Sequence, residues 1–202
     1  MKITVEGWDW VKKATLKTIG KKSIEGKPIS SEWKQNILIS RHSPIRELSI
    51  RIEFDDIERW IADQIVRHNV GCNNYMKTSR TDRGNLPRSE QTMIMLTDLM
   101  QSHNAESFIN MMETRLCVGC VSKETRILAE SLVKEVSKVE PELALMCVPP
   151  CIKSFGCKEV FTKCSFFENF MNYISLMDIK IRDLTNIEER YRVYREYRGL
   201  NK

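Results

Sequence analysis

The stretch RELSIRIEFDDIERWIADQIVRH, residues 46–68, decides the fold. Its first part alternates apolar with polar residues, and the apolar positions are Leu48, Ile50, Ile52 and Phe54. This alternation predicts a strand with one buried face. A second strand is predicted at QNILIS, residues 35–40, and the amino-terminal KITVEGWDW predicts a strand followed by a helix or turn.

The second part of the same stretch predicts an amphipathic helix. Asp55 and Glu58 have the spacing of a capping box, so a helix is predicted over 57–68. Its apolar residues recur at helical spacing, and Gln64 and His68 continue the same stripe. Polar groups on a buried stripe need partners, and a ligand is one way to supply them.

Helices dominate the rest of the chain. A long loop is predicted up to residue 88 and a long helix over 90–115. Ser122 is predicted to cap a helix, Pro141 to begin a short one, and the tail from Ser165 to form two more. The expectation is one α/β domain over residues 1–164 with a helical C-terminal extension over 165–202.

Composition excludes several classes of protein. The chain has 202 residues, of which 42% are hydrophobic, so disorder is not expected. Its 32 basic and 27 acidic residues give a net charge of +5, which suits nucleotides or phosphorylated small molecules better than nucleic acid. We find no long apolar run and no signal peptide, so we expect a soluble, cytoplasmic protein without a membrane partner.

Two polar clusters are candidates for a binding site. The first follows the predicted helix and comprises Gln64, Arg67, His68, Ser79, Arg80 and Arg83. The second lies in NAESFINMMETR and comprises Asn104, Ser107, Asn110 and Arg115. Arginine offers a planar fork to phosphate or to a polarised carbonyl, and glutamine can pair with a base edge. The alternatives are a solvated helix end that complements the helix dipole, and ordinary hydrogen bonding between helices.

These residues carry a resemblance to a known family. The order of SPIRELSIRIEF, DIERWIADQIVRH, a loop containing Ser-Arg, NAESFINMMETR and SKETR resembles the flavin-dependent thymidylate synthases. In that family Arg-His-Arg closes a helix, and an Asn-Ala-x-Ser-Leu-x-Asn helix ends in an arginine. Arg67 and His68 match the first block, and Asn104, Ala105, Ser107, Asn110 and Arg115 match the second. The resemblance covers residues 43–150.

The resemblance implies an antiparallel sheet flanked by helices, in homotetramers whose active sites form between subunits. It implies FAD as cofactor, with NADPH and methylenetetrahydrofolate as co-substrates, and methylation of dUMP at C5. Residues implied to bind the substrate are Gln64, Arg67, Ser79, Arg80 and Arg115. Residues implied to contact the flavin are Arg67, His68, Asn69, Asn104 and Asn110. Catalytic roles are implied for Arg67 and Arg115.

Departures from the family pattern leave two alternatives open. The second arginine of the signature is Asn69 here, and its serine falls near Lys77 or, with a one-residue slip, at Thr78 or Ser79. Thr81 and Glu47 replace a tyrosine and a histidine. A related enzyme that hydroxymethylates dUMP or dCMP is therefore a second hypothesis. A catalytically inactive nucleotide- or nucleic-acid-binding module is a third. We find neither a G-x-G-x-x-G nor a P-loop pattern.

The cysteines and the arginine- and tyrosine-rich tail can each be interpreted either as ordinary structure or as a specific binding site. Five of the seven cysteines are Cys117, Cys120, Cys151, Cys157 and Cys164, and we favour free thiols over a zinc site because the spacing of the last three is not that of a zinc ribbon. The tail alternates arginines with Tyr191, Tyr194 and Tyr197, and we favour an amphipathic helix that docks on a neighbour over a nucleic-acid surface. His42 and His103 are given no role.

Overall fold

A computed structural model of the chain describes residues 1–22, 28–161 and 164–200. Its sheet has four antiparallel strands in the order β1-β2-β4-β3. Their bounds are β1 Lys2–Glu6, β2 Ser49–Glu58, β3 Cys72–Met76 and β4 Leu96–Asn104. The fold is α+β, which confirms the expected class.

Three helices lie between the strands in the chain, and six more follow β4 and make up the C-terminal half of the described residues. Their bounds are α1 Trp8–Thr18, α2 Ser31–Ser40, α3 Arg59–Val66, α4 Ala105–Arg115, α5 Lys123–Val139, α6 Pro141–Leu145, α7 Pro150–Lys153, α8 Phe166–Leu176 and α9 Ile187–Tyr197. Short 3-10 turns occupy Ser43–Glu47, Thr81–Arg83, Arg88–Glu90 and Ile181–Thr185.

One face of the sheet is buried against this layer of helices. The predicted apolar set of β2 is buried, with Ile50 and Ile52 fully so. Ile50 pairs with His103, Ile52 with Gln101 and Phe54 with Leu99 across the β2–β4 ladder. His103 and Gln101 are therefore polar residues buried opposite apolar residues of β2.

The predicted start of the first site helix is wrong. Strand β2 continues to Glu58, with a register shift between Phe54 and Ile57 and a left-handed backbone at Asp56 (φ 53°). The first amide groups of α3, those of Arg59 and Trp60, donate to backbone carbonyls at 2.9 and 3.0 Å. Backbone pairing therefore takes the place of the expected capping box.

Two predictions of element type are also wrong. QNILIS is helical rather than extended, because the Ser30 side chain accepts a hydrogen bond from the Trp33 amide and so begins α2. The predicted helix over 90–115 is instead β4 followed by α4. Strand β3 lies inside the predicted loop.

The C-terminal prediction is confirmed. Ser122 caps α5, and α8 and α9 pack into the single hydrophobic core. Tyr191 and Tyr194 are buried, and Arg195 donates to the Ser137 hydroxyl at 2.9 Å. These tyrosines are therefore inside the fold and do not present a stacking surface to nucleic acid.

The described helices include none that is both long enough and apolar enough to cross a membrane.

Because α8 belongs to the core, we expect Phe170→Ala to reduce the free energy of unfolding by about 3–5 kcal/mol. Phe170 is fully buried, whereas Phe161 is 96% exposed and provides a matched control. Phe161→Ala should change stability by less than about 0.5 kcal/mol. Urea denaturation measures both, and similar small losses in the two variants would show that α8 is not part of the core.

Candidate functional site

The site begins where the end of α3 meets the start of α4. The His68 Nε2 atom lies 3.1 Å from the Ser107 hydroxyl. Asn104 caps α4, since its side-chain oxygen accepts a hydrogen bond from the Ser107 amide at 2.8 Å. Gly71 follows with φ 71°, and a Cβ there would lie 3.1 Å from both Asn104 and Ser107. A side chain at position 71 would therefore crowd this junction.

Ser107 joins His68 to a second histidine. The His103 Nδ1 atom lies 3.2 Å from the same hydroxyl, and the two imidazole rings stack with centroids 6.1 Å apart. A hydroxyl has one proton, so Ser107 donates to one neutral ring and accepts from the other. The relay thus couples the tautomer of the half-buried His68 to that of the buried His103.

Arg115 closes the site at the other end of α4. Its guanidinium donates to the backbone carbonyl of Gln64 in the last turn of α3. The Gln64 side chain in turn accepts from the Thr125 hydroxyl at 3.1 Å, which ties α5 to the same point. The Nε atom of Arg115 is buried and has no hydrogen-bond partner within the described part of the chain. Arg67 is exposed and near enough to influence Arg115.

Burial and positive charge set the protonation of the site. Burial, followed by the charge of Arg67, lowers the pKa of Arg115, but a guanidinium remains charged. Burial, followed by the charge of Arg115, lowers the pKa of His68. Burial, together with His68, lowers the pKa of His103 to about 4. Both histidines are therefore neutral at neutral pH, beside a fixed positive charge.

The structure brings together only part of the predicted set. Gln64, Arg67, His68, Asn104 and Arg115 form one group at the α3–α4 junction, and the exposed Asn69 adjoins it in sequence. This group is called the α3–α4 site below.

Asn110 is held elsewhere. It is exposed, and its side-chain oxygen accepts a hydrogen bond from Arg41 at 2.8 Å. Arg41 also pairs with Glu113. Asn110 is therefore engaged with the Arg41–Glu113 pair, whereas the predicted flavin contact requires it beside Asn104.

Ser79 and Arg80 lie at the other end of the sheet. In β3, Cys72 pairs with His103 but Met76 pairs with Leu99, so the chain runs away from the α3–α4 site. Beyond β3, the Ser79 carbonyl accepts from the Gln91 side chain at 2.9 Å. The exposed Arg80 pairs with Asp82 at 2.7 Å, and Arg83 is also exposed. Within one chain, this loop cannot complete the α3–α4 site.

Sequence reasoning missed the role of His103 and Thr125. His103 lies in β4 and Ser107 in the first turn of α4, so their contact depends on the strand-to-helix junction at Asn104, where the sequence predicted one continuous helix. Thr125 sits in the first turn of α5, where it appears only as part of the Ser122 cap region. Neither position carries a residue type that identifies its partner.

Comparisons with solved structures identify the fold. Thymidylate Synthase X (ThyX) from Helicobacter pylori, solved with FAD and dUMP, is 17% identical, with a TM-score of 0.57 over 73% of this chain and 99% of that chain. A second structure of the flavin-dependent thymidylate synthase ThyX from Helicobacter pylori, complexed with FAD and dUMP, is 18% identical, with a TM-score of 0.57 over 73% and 100%.

A third protein extends the likeness. The UMP/dUMP methylase PolB from Streptomyces cacaoi, bound with 5-Br dUMP, is 14% identical, with a TM-score of 0.55 over 74% of this chain and 98% of that chain. No protein-family model matches the chain, and no curated protein matches it in sequence. At these identities the likeness establishes a shared fold, which agrees with the fold that the sequence resemblance implied.

The buried histidine gives a testable pH dependence. The pKa of His103 is about 4 in the folded chain against an ordinary value of 6.5, so the unfolded chain binds more protons between those values. Stability should therefore fall as the pH drops through this range, by up to about 3 kcal/mol from His103, with His68 adding in the same direction. His103→Asn, whose amide can replace Nδ1 toward Ser107, should flatten this dependence.

Urea denaturation between about pH 4 and pH 7 measures the effect. The matched control is His42→Asn, because His42 is exposed on the surface. We expect this control to keep the wild-type dependence. A wild-type slope in His103→Asn would contradict the assignment of the buried neutral histidine.

Proposed function

We propose that this protein is a flavin-dependent enzyme that transfers a one-carbon unit from methylenetetrahydrofolate to C5 of a deoxypyrimidine monophosphate. The simplest reaction is the conversion of dUMP to dTMP, with NADPH as reductant. The α3–α4 site carries the proposal, because it joins Gln64, Arg67, His68 and Arg115, in a fold shared with structures that contain FAD and dUMP.

The residues of the α3–α4 site fit an anionic, flat and polar ligand. Arg115 has a buried Nε donor without a partner in the described part of the chain, and Arg67 adds an exposed guanidinium beside it. A buried donor that the protein leaves unpaired costs stability unless a ligand uses it. We assign the pyrimidine nucleotide to Arg115, Arg67 and Gln64.

The flavin would be held by Arg67, His68, Asn69 and Asn104. Asn104 has its oxygen committed to the α4 cap, which leaves its amide donors for a ligand. The bound flavin supplies the redox chemistry, and the protein supplies binding, orientation and electrostatics. We include Asn110 as a weaker contact, since its oxygen is already bonded to Arg41.

Arg115 provides the main electrostatic contribution to the proposed reaction. C5 becomes nucleophilic when the pyrimidine carries enolate-like negative charge on its carbonyl oxygens, and a fixed guanidinium beside them would stabilise that charge. The hydrogen bond to the Gln64 carbonyl fixes the direction of the guanidinium before the ligand binds. Preorganisation of this kind removes the need to reorient the donor during the reaction.

His68 acts as a neutral hydrogen-bonding group in this scheme. A second positive charge beside Arg115 would be costly, and the lowered pKa of His68 avoids it. Ser107 fixes the ring, and Cys72 donates to the His68 backbone carbonyl at 2.8 Å. The imidazole can thus orient a ligand without changing its own charge.

We further propose that Ser79 and Arg80 reach the α3–α4 site of a neighbouring subunit in a homotetramer. Both lie too far along the sheet to serve the site of their own chain. The loop is exposed and rich in cations, which suits a phosphate group that approaches from another subunit.

Asn69 favours a second candidate reaction. The family signature has an arginine where this chain has an exposed asparagine, so one guanidinium near the flavin is missing. A relative that adds water instead of hydride would yield a hydroxymethyl product from dUMP or dCMP. The mass of the product distinguishes the two reactions.

Purified protein supplied with FAD should bind it and absorb in the visible range. With dUMP, methylenetetrahydrofolate and NADPH, mass spectrometry should detect dTMP. A hydroxymethylated nucleotide would support the second reaction instead. Protein that binds no flavin but still binds nucleotide would favour the inactive binding module and would contradict both enzyme proposals.

Arg115→Ala should weaken dUMP binding by about 10- to 100-fold, because it removes a charged, half-buried hydrogen-bond donor. Arg115→Lys should give an intermediate loss, since lysine keeps the charge but not the fork. The matched control is Arg182→Ala, at an arginine whose side chain is 78% exposed. Calorimetric titration measures the affinities, and circular dichroism checks the fold. Equal affinity in Arg115→Ala and the control would remove Arg115 from the site.

Shared sites predict complementation between variants. Arg115→Ala and Arg80→Ala should each lose most activity alone. After the two are unfolded and refolded together, about a quarter of the sites should combine one intact Arg115 with one intact Arg80. Mixed protein that is no more active than either variant would show that both arginines serve the same chain's site, or that Arg80 serves none.

A further inference from the structure

Five of the seven cysteines converge on one cavity. The cavity has a volume of about 200 Å³, and its lining includes Cys117, Cys120, Cys151, Cys157 and Cys164. They come from the turn between α4 and α5, from α7 and the segment after it, and from the residue before Ser165 at the start of α8. The other two cysteines, Cys72 and Cys147, do not line it.

The first pair lies on a tight backbone turn. The Cys120 amide donates to the Cys117 carbonyl at 3.3 Å, and the Cys117 amide donates to the Thr114 carbonyl at 3.3 Å. The turn sets both thiols beside the cavity. A Cys-x-x-Cys turn that presents two sulfur atoms to one point is the usual half of a zinc site.

The second pair is brought to the same point by the fold. The Cys164 thiol is close enough to Cys120 and to Cys151 to affect the pKa of each, and so is Cys117. Cys117 and Cys164 therefore each lie near both Cys120 and Cys151, which joins these four thiols, whereas Cys157 lies near Cys151.

Two of these thiols, those of Cys120 and Cys151, favour the protonated form. A hydrogen bond with Cys117, followed by burial, raises the pKa of Cys120 to about 12. Burial, followed by the nearby Cys117, raises the pKa of Cys151 to about 12. All seven cysteines are free, so the cluster has not closed into disulfides. A cation would reverse the preference for the thiol form, because a thiolate is stable beside a bound metal ion.

We propose that Cys117, Cys120, Cys151 and Cys164 bind a structural Zn²⁺ ion. Thiolates prefer this soft metal, and four of them satisfy its tetrahedral coordination. On binding, the four thiols release four protons and form a complex with a net charge of −2. Lys158 and Glu159 also line the cavity, so one positive and one negative side chain lie beside it.

Binding requires a local contraction of the cavity. Across residues 1–22, 28–161 and 164–200, no three ligand side chains already stand at metal-binding spacing. The sulfur atoms must therefore close to about 2.3 Å from the ion. The site would join the start of α8 to the turn between α4 and α5. The C-terminal extension would thus be anchored at Cys117, two residues after Arg115. The proposal differs from the sequence-based preference for free thiols, because the fold brings together cysteines whose spacing along the chain is not that of a zinc ribbon.

The direct test uses the full chain, purified under reducing conditions. Elemental analysis, before and after addition of Zn²⁺, should find about one zinc ion per chain. Cobalt substitution should give the absorption of tetrahedral thiolate-bound Co²⁺. Alkylation of the zinc-loaded wild type, mapped by mass spectrometry, should modify Cys157 but not the four ligands. These measurements need no variant and remain decisive if a substituted chain fails to fold.

Single substitutions then assign the ligands. Cys117→Ser, Cys120→Ser, Cys151→Ser and Cys164→Ser should each weaken zinc binding at least about tenfold. Cys157→Ser, the matched control from the same cavity, should keep wild-type zinc content. No bound zinc in the reduced wild type would overturn the site. Equal loss in Cys157→Ser would overturn the assignment of these four ligands, as would a Cys117–Cys120 disulfide that survives reduction.

Discussion

Antiparallel pairing of β2 with β4 is the constraint on which the α3–α4 site depends. The two strands run in opposite directions, so α3 leaves one end of the sheet and α4 leaves the other. Helix α3 runs back along the buried face until His68 meets Ser107 in the first turn of α4. Arg115, at the far end of α4, then reaches the Gln64 carbonyl. One strand pairing thus brings His68 to Ser107 and Arg115 to the Gln64 carbonyl, although these residues come from two separate segments.

The same pairing places polar residues inside the core. Gln101 and His103 occupy β4 positions opposite the apolar Ile52 and Ile50. The Gln101 side chain donates to Asn74 at 2.5 Å, and His103 bonds to Ser107. Gln101 Oε1 and His103 Nε2 have no partner within the described part of the chain. Buried polar groups of this kind reduce stability, and they are common where a fold supports a ligand site.

The sequence predicts correctly those elements whose hydrophobic pattern or capping residue matches the way the element is buried in the fold. Alternation in β2 and the Ser122 cap of α5 both identify the correct element. Strand β4 is not predicted from the sequence, because its buried face carries the polar residues Thr97, Gln101 and His103. Its sequence therefore lacks the alternation of apolar with polar residues that marks a half-buried strand. The segment QNILIS is wrongly predicted as a strand because its apolar run Ile37, Leu38 and Ile39 is typical of strands. The Ser30 cap nevertheless begins a helix there.

The candidate site is predictable to a similar degree. Helical spacing predicts that Gln64, Arg67 and His68 lie close together, and the structure places them at and just beyond the end of α3. The cysteine cavity depends on contacts between segments far apart along the chain, and spacing alone carries no information about those contacts. The loop with Ser79 and Arg80 is separated from His68 by strand β3, which the sequence does not predict.

The most direct test of the proposed site is an experimental structure of the full chain with FAD and dUMP. We predict that the pyrimidine lies within hydrogen-bonding distance of Arg115, that the flavin lies against His68 and Asn104, and that Arg80 of a neighbouring subunit approaches the phosphate. A nucleotide bound away from Arg115, or a flavin absent from the α3–α4 site at saturating concentration, would contradict this prediction.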